Sequence, residues 1–138
     1  MTLSPSLIYI GDHAFQEWIS LIEITLPSKI EYIGGYAFEK CQSLEKVENN
    51  SSIKEIKNNT FANCKSLKQV TIPSSVRIIG VCSFYGCSSL KEITIPSKVN
   101  EIWESAFQYC SLERVCIPKS VKSIEKNSFD ANCSKFHS

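Results

Sequence analysis

Seven cysteines, two histidines and two aspartates are the side chains of this 138-residue chain best suited to chemistry. Their spacing decides which chemistry is open to them. His13 and His137 lie near opposite ends, and Asp12 and Asp130 are the only aspartates. Asp12 and His13 are neighbours at a loop position, where a solvated surface pair is expected rather than an acid–base couple. No glycine-rich phosphate loop, nucleophile elbow or metal-binding histidine pair occurs. Cys82 and Cys87 are five residues apart, with no second pair or histidine to complete a zinc set. The expectation is a non-catalytic chain without cofactor or metal. Five cysteines (Cys41, Cys64, Cys87, Cys110 and Cys133) recur every 23 residues. They are expected to be buried, reduced thiols acting as small hydrophobes. A disulfide ladder needs a paired Cβ geometry that a stack of aligned side chains does not favour. Cys82 occupies an otherwise variable position, and Cys116 is expected to be the most exposed thiol.

The elements that carry these cysteines repeat with the same interval. Leu67 to Ser89 reads LKQVTIPSSVRIIGVCSFYGCSS, and Leu90 to Ser111 reads LKEITIPSKVNEIWESAFQYCS. The leading leucines Leu21, Leu44, Leu67, Leu90 and Leu112 are separated by 23, 23, 23 and 22 residues. A fixed period of this size identifies a solenoid. Further columns follow at each depth. They include Ile24, Val47, Val70, Ile93 and Val115; the pair Ile30/Ile33 with its counterparts; and Phe38, Phe61, Phe84, Phe107 and Phe129. About seven buried positions per turn let each coil build a core with its neighbours. The first half of each repeat, such as KQVTI, alternates with period two and predicts a short strand. The VRII segment predicts a second short strand or an extended edge. In AFxxC, the spacing puts Ala, Phe and Cys on one face of a short helical or 3₁₀ turn held by packing.

The pattern L-x-x-I-x-I-P-x-x-V-x-x-I-G-x-x-A-F-x-x-C resembles the leucine-rich repeats, in particular the 23-residue class of BspA-like and Treponema-type surface proteins. The resemblance covers nearly the whole chain. It implies an α/β solenoid: a right-handed leucine-rich-repeat superhelix with a parallel β-sheet on the concave face and short helical or 3₁₀ turns opposite. It also implies a protein-binding module, with a host or extracellular-matrix protein as partner and a cell-surface or secreted location. In place of the asparagine usual after the strand motif stand Lys29, Ser75, Lys98 and Ser120. An asparagine ladder is therefore not expected.

One solenoid domain over residues 1–138 is expected, with a degenerate coil at 3–20, repeats at 21–43, 44–66, 67–89, 90–111 and 112–134, and the start of a further coil at 135–138. Trp18 stands where later coils have cysteine. Either it covers the open end of the phenylalanine column or the array simply begins there; no separate polar cap is visible. Asn49 takes an inward strand position and Asn50 replaces proline. A turn in which Asn49 bonds the backbone is the main reading, and a bulge marking a contact site is the other. Asn49, Asn50, Asn58 and Asn132 begin N-x-Ser/Thr sequons, a weak signal. Phe136 stands where the next leading leucine would fall. Fifteen basic and fourteen acidic residues give a net charge of +1. That balance makes no case for nucleic acid or anionic lipid. No apolar run is long enough to span a membrane as a helix, and the N-terminus lacks the features of a signal peptide.

Function then rests on surface. The outward strand positions Glu23, Lys46, Gln69, Glu92 and Arg114, with Thr25, Glu48, Thr71, Thr94 and Cys116, form a mostly polar face. It is either a solvated sheet surface or a protein-binding platform. Tyr32, Tyr36, Tyr85, Trp103 and Tyr109 lie on other faces and form a rival surface. The alternatives to an interaction module are a structural spacer in a longer array and, least favoured, an enzyme.

Overall fold

The computed structural model describes all residues, 1–138. The chain is a parallel β-solenoid of about 6 turns. Its strands are β1 Tyr9–Ile10, β2 Glu23–Leu26, β3 Tyr32–Ile33, β4 Lys46–Asn49, β5 Glu55–Ile56, β6 Gln69–Val70, β7 Ile78–Ile79, β8 Glu101–Ile102, β9 Arg114–Ile117, β10 Ser123–Ile124 and β11 Ser134–His137. Each regular coil runs through a first strand, turns at its proline, forms a second strand and returns by a chain of turns. Equivalent repeat positions pair across coils. Glu23 faces Lys46 and Lys46 faces Gln69, while Ile56, Ile79, Ile102 and Ile124 run in register. The first-strand face is not one sheet. It holds a three-stranded ladder, β2-β4-β6, and a two-stranded one, β9-β11. The second-strand face holds β5-β7-β8-β10 and, separately, β1-β3.

The expected helical turns do not form; the AFxxC segments contain no helical residue. The reason lies in where their amides go. In the second coil, the amides of Ala37, Glu39 and Cys41 bond carbonyls three residues back (3.2–3.4 Å). Those of Tyr36, Phe38 and Lys40 bond Asn58, Thr60 and Ala62 of the next coil at 3.1, 2.8 and 2.9 Å. A helix would keep all of these bonds along its own axis and leave the neighbouring coil unpaired. Exporting every second amide requires a left-handed residue at two places per coil: His13/Glu17, Tyr36/Lys40, Asn59/Asn63, Cys82/Gly86 and Ser105/Tyr109, all with φ between 53° and 74°. Left-handed backbone costs a non-glycine residue about 1–2 kcal/mol. Inter-coil bonds and packing offset it.

The core follows the predicted columns. Phe38, Phe61, Phe84 and Phe107 are almost fully buried. Phe15 through Phe129 stack with ring centroids 5.1–5.3 Å apart and near-parallel planes. Trp18 stacks on Phe15 at 5.6 Å, covering the first ring of the column as one of its two readings requires. Asn49 stays inward, 2% exposed, and its Oδ1 accepts from the Ser51 amide and hydroxyl at 3.1 and 2.6 Å. It forms the backbone-bonding turn expected at that position, replacing the proline corner. Such a buried amide is closed to glycosylation in the folded chain.

Two ladders stand where an asparagine ladder is missing. Each thiol of Cys41, Cys64, Cys87 and Cys110 donates to the phenylalanine carbonyl of the preceding coil at 3.1–3.2 Å. The hydroxyls of Ser66, Ser89, Ser75 and Ser120 likewise reach back one coil at 2.6–2.7 Å. Glycine is needed where coils touch: a Cβ on Gly80 would lie 2.6 Å from the Ile56 carbonyl oxygen. The last coil departs from expectation. The final strand begins at Ser134, paired with Arg114, so Phe136 lies opposite Cys116 and not at a leading-leucine position. Phe136 is 43% exposed, with the Arg114 guanidinium 4.9 Å from its ring centre.

Two adjacent residues test this packing in opposite directions. Phe84→Ala removes the middle of the ring column and should cost about 3–5 kcal/mol. Ser83 is fully buried, and its hydroxyl has no hydrogen-bond partner. Alanine fills the same position as Ala37 and Ala106. Ser83→Ala should therefore be neutral or stabilise by up to about 1 kcal/mol. Urea unfolding midpoints report both; a Ser83→Ala loss comparable with that of Phe84→Ala would contradict the packing described.

Candidate functional site

Alternation along the first strands aims every second side chain outward. Glu23, Thr25, Lys46, Glu48, Gln69, Thr71, Glu92, Thr94 and Arg114 are all exposed. The structure divides them. Lys46, Glu48, Gln69, Thr71, Glu92 and Thr94 share one groove of about 680 Å³ with Asn50 and Lys68. Glu23 and Thr25 line an adjoining hollow with Lys46 and Glu48. Arg114 lies apart, over Phe136. Cys116 is half-buried.

The groove sits where the ladder lapses. No strand forms between β6 and β9 on this face, and no amide of residues 91–95 donates a backbone hydrogen bond. The inward column loosens at the same place: Val70 and Ile93 are half-buried, whereas Val47 and Val115 are buried. A polar face thus carries unpaired backbone and two apolar side chains along one seam. Buried or half-buried backbone groups strongly favour a partner. Nothing in the strand motif of Leu90 to Ile95 signals the lapse, because LKEITI matches its neighbours.

The rival aromatic surface is also divided. Tyr85 and Tyr109 meet edge to face at 5.3 Å. Tyr32, Tyr36 and Trp103 instead share a second groove of about 410 Å³ with Asp12, His13, Gly35, Glu55, Lys57 and Asn58. Tyr9 stacks on Tyr32 at 4.8 Å and His13 on Tyr36 at 4.9 Å, each pair one repeat apart. The 23-residue offset was the available signal for both. Asp12 and His13 make no couple. Asp12 Oδ1 accepts from the Gly35 amide and the Tyr32 hydroxyl, both at 3.1 Å, while His13 Nδ1 lies 2.9 Å from Gln16 Oε1. The bond to Asp12 raises the Tyr32 phenol above its ordinary range.

All seven cysteines are free. Burial pushes Cys41 up to about 11 and Cys110 up to about 12, and raises Cys64 and Cys87 well above the ordinary thiol range. Desolvation disfavours the thiolate, the reactive form. Since the folded values lie above the unfolded one, about 8.5, this contribution to stability is full below that value. It declines as pH rises through the folded range. Alkylation of native protein by iodoacetamide should therefore modify Cys116 first and then Cys82. Cys64, Cys87 and Cys110 should lag by at least about tenfold. Peptide mapping checks the order; a Cys64–Cys87 disulfide, or early labelling of Cys87, would contradict it.

Comparison with known proteins matches the geometry. A family model for the BspA type leucine rich repeat region matches residues 2–137 in 6 copies. A leucine rich repeat protein of T. pallidum has a similar structure, with a TM-score of 0.80 at 25% identity, over 99% of this chain and 72% of that one. A leucine-rich repeat protein from Bacteroides ovatus gives 0.75 at 24% identity, over 98% of this chain and 46% of that one. A leucine rich cell surface protein from Faecalibacterium prausnitzii gives 0.57 at 23% identity, over 98% and 52%. The chain thus spans about half the length of two of these neighbours, and below 25% identity the likeness shows the fold alone. No curated protein matches it. With the repeat, the coil register and the family match in agreement, the chain belongs to the BspA-type leucine-rich repeat family.

Proposed function

We propose that this chain is a non-catalytic protein-interaction module that binds its partner on the first-strand face, centred on the groove at the open seam. Leucine-rich repeat folds generally serve protein binding, and one observation on this chain favours this face. The seam offers unpaired backbone amides and the side chains of Val70 and Ile93 inside a rim of Lys46, Glu48, Gln69 and Glu92. An apolar centre with a polar rim is the usual anatomy of a protein interface. Strands fixed by the coil register also hold these side chains in rows, so little ordering remains to oppose binding. The name of the Faecalibacterium prausnitzii neighbour, a leucine rich cell surface protein, favours a cell-surface location; a host or matrix protein is the partner this reading adopts from the family resemblance alone. The structural-spacer reading draws on the same repeat but gives the seam no role.

Charge reversal separates the two. Glu48→Lys with Glu92→Lys changes the groove rim. Glu39→Lys with Lys40→Glu changes the turn side, where outward residues share no chemistry from coil to coil. Against a panel of immobilised matrix proteins, the first pair should weaken binding about tenfold or more, since charge reversal sets like against like across the interface, and the second should leave it intact. The near-neutral chain should show only modest salt dependence. Loss with the second pair alone would move the site to the turn side. Retention of no panel protein by the wild-type chain would favour the spacer.

A further inference from the structure

The second groove carries a different kind of chemistry, on residues that the first-strand face does not use. We infer that it is a saccharide site, shaped for a neutral pyranose ring of a glycan. Its volume, about 410 Å³, suits a small ligand. Its rim is aromatic: Tyr36 is 37% exposed and Trp103 half-buried, and these two offer the stacking faces, since Tyr32 is covered by Tyr9 and the Lys57 ammonium. A pyranose presents a face of C–H bonds that packs on the electron-rich face of such rings, and its hydroxyls demand donors and acceptors around the edge.

The polar residues of the groove supply both, and each is already fixed by one of its atoms. Asp12 is held through Oδ1 by the Gly35 amide and the Tyr32 hydroxyl, leaving Oδ2 without a partner. Asn58 is held through Oδ1 by the Val81 amide at 3.0 Å, leaving both N–H bonds of Nδ2 to donate. Glu55 is held through Oε2 by Lys57 at 3.1 Å, leaving Oε1. The Trp103 indole donates to Glu101 Oε2 at 2.7 Å, which fixes the ring from outside the groove. Side chains locked in this way lose little freedom when a ligand arrives. Gly35 lines the groove without a side chain, and a Cβ there would lie 3.1 Å from the Asn58 carbonyl oxygen.

Charge selects among ligands. Lys57 neutralises Glu55, and its ammonium already occupies the place over the Tyr32 ring, 5.5 Å from the centre. A cationic ligand would have to displace it. An anionic ligand would meet the carboxylate of Asp12, which no cation pairs. A neutral polyhydroxyl ligand meets alternating acceptors and donors without either conflict. Trp103 enters the groove from two coils beyond Asn58, at a column position held by Gly34 and Gly80 elsewhere.

A Trp18→Phe background leaves Trp103 as the single indole. Its fluorescence can be titrated with methyl glucoside, methyl galactoside and N-acetylglucosamine, alongside binding of the chain to an array of neutral glycans. The site predicts a saturable change in Trp103 emission in the millimolar range and retention on a subset of the array. Asp12→Asn keeps the Oδ1 contacts but turns the free acceptor into a donor, and Tyr36→Ala removes a ring. Each should weaken binding about tenfold, the loss expected for one hydrogen bond to a charged group or one stacked ring. Circular dichroism checks that both variants fold. Glu48→Lys with Glu92→Lys should leave sugar binding unchanged, which separates this site from the first-strand face. Absence of both a saturable emission change and array binding would overturn the inference, as would binding that survives Asp12→Asn and Tyr36→Ala. It would equally fall if the groove bound a lysine-rich peptide, with loss in Asp12→Asn, and no sugar.

Discussion

Backbone amides that leave their own coil are the constraint on which the rest of this solenoid depends. A strand has no choice but to pair sideways. The unexpected feature is that the turn segments do the same, sending alternate amides to the next coil, as Phe38 does to Thr60 and Phe84 to Ala106 at 2.8 Å. Such bonds form only if the chain returns to the same height after a fixed number of residues. The 23-residue spacing of the cysteines and phenylalanines is the sequence record of that requirement. Ring stacking, thiol-to-carbonyl bonds and serine ladders then follow, because register places like on like.

The same constraint explains what the sequence hid. Columns of leucine, isoleucine, phenylalanine and cysteine were legible because burial restricts residue type. The turn geometry was not, since left-handed backbone is usually signalled by glycine or asparagine. Here Asn59, Asn63 and Gly86 carry that signal, but Tyr36, Lys40, Cys82 and Ser105 adopt the same conformation without it. A period of three to four from Ala37 to Cys41 suggests a helix to any reading based on side chains alone. The period fixes which side chains face inward; it does not reveal which amides are exported. The one-coil reach of serine hydroxyls was equally invisible, although the column Ser66, Ser89 and Ser111 is in the sequence.

The candidate site was half legible. Alternation in the first strands named the outward residues, and six of them do converge on one groove. What made that groove distinctive, the lapse of pairing at residues 91–95, has no local signature. Arg114 was placed with the others by column; it does not line their groove, and Phe136 of the shortened last coil lies against its guanidinium. On the second face, aromatic residues at variable positions looked scattered. The coil offset gathers Tyr32, Tyr36 and Trp103 and leaves Tyr85 and Tyr109 elsewhere.

Amide hydrogen exchange, resolved by residue, tests the export of turn amides and its lapse at the seam in one measurement. The amides of Phe38, Phe61, Phe84 and Phe107, bonded to the following coil at 2.7–2.8 Å, should be among the slowest in the chain. Those of residues 91–95 should exchange orders of magnitude faster, although their side chains sit in the same columns. Rapid exchange at the phenylalanine amides would contradict the turn geometry. Protection of residues 91–95 equal to that of Lys46 and Gln69 would show a continuous sheet and remove the seam.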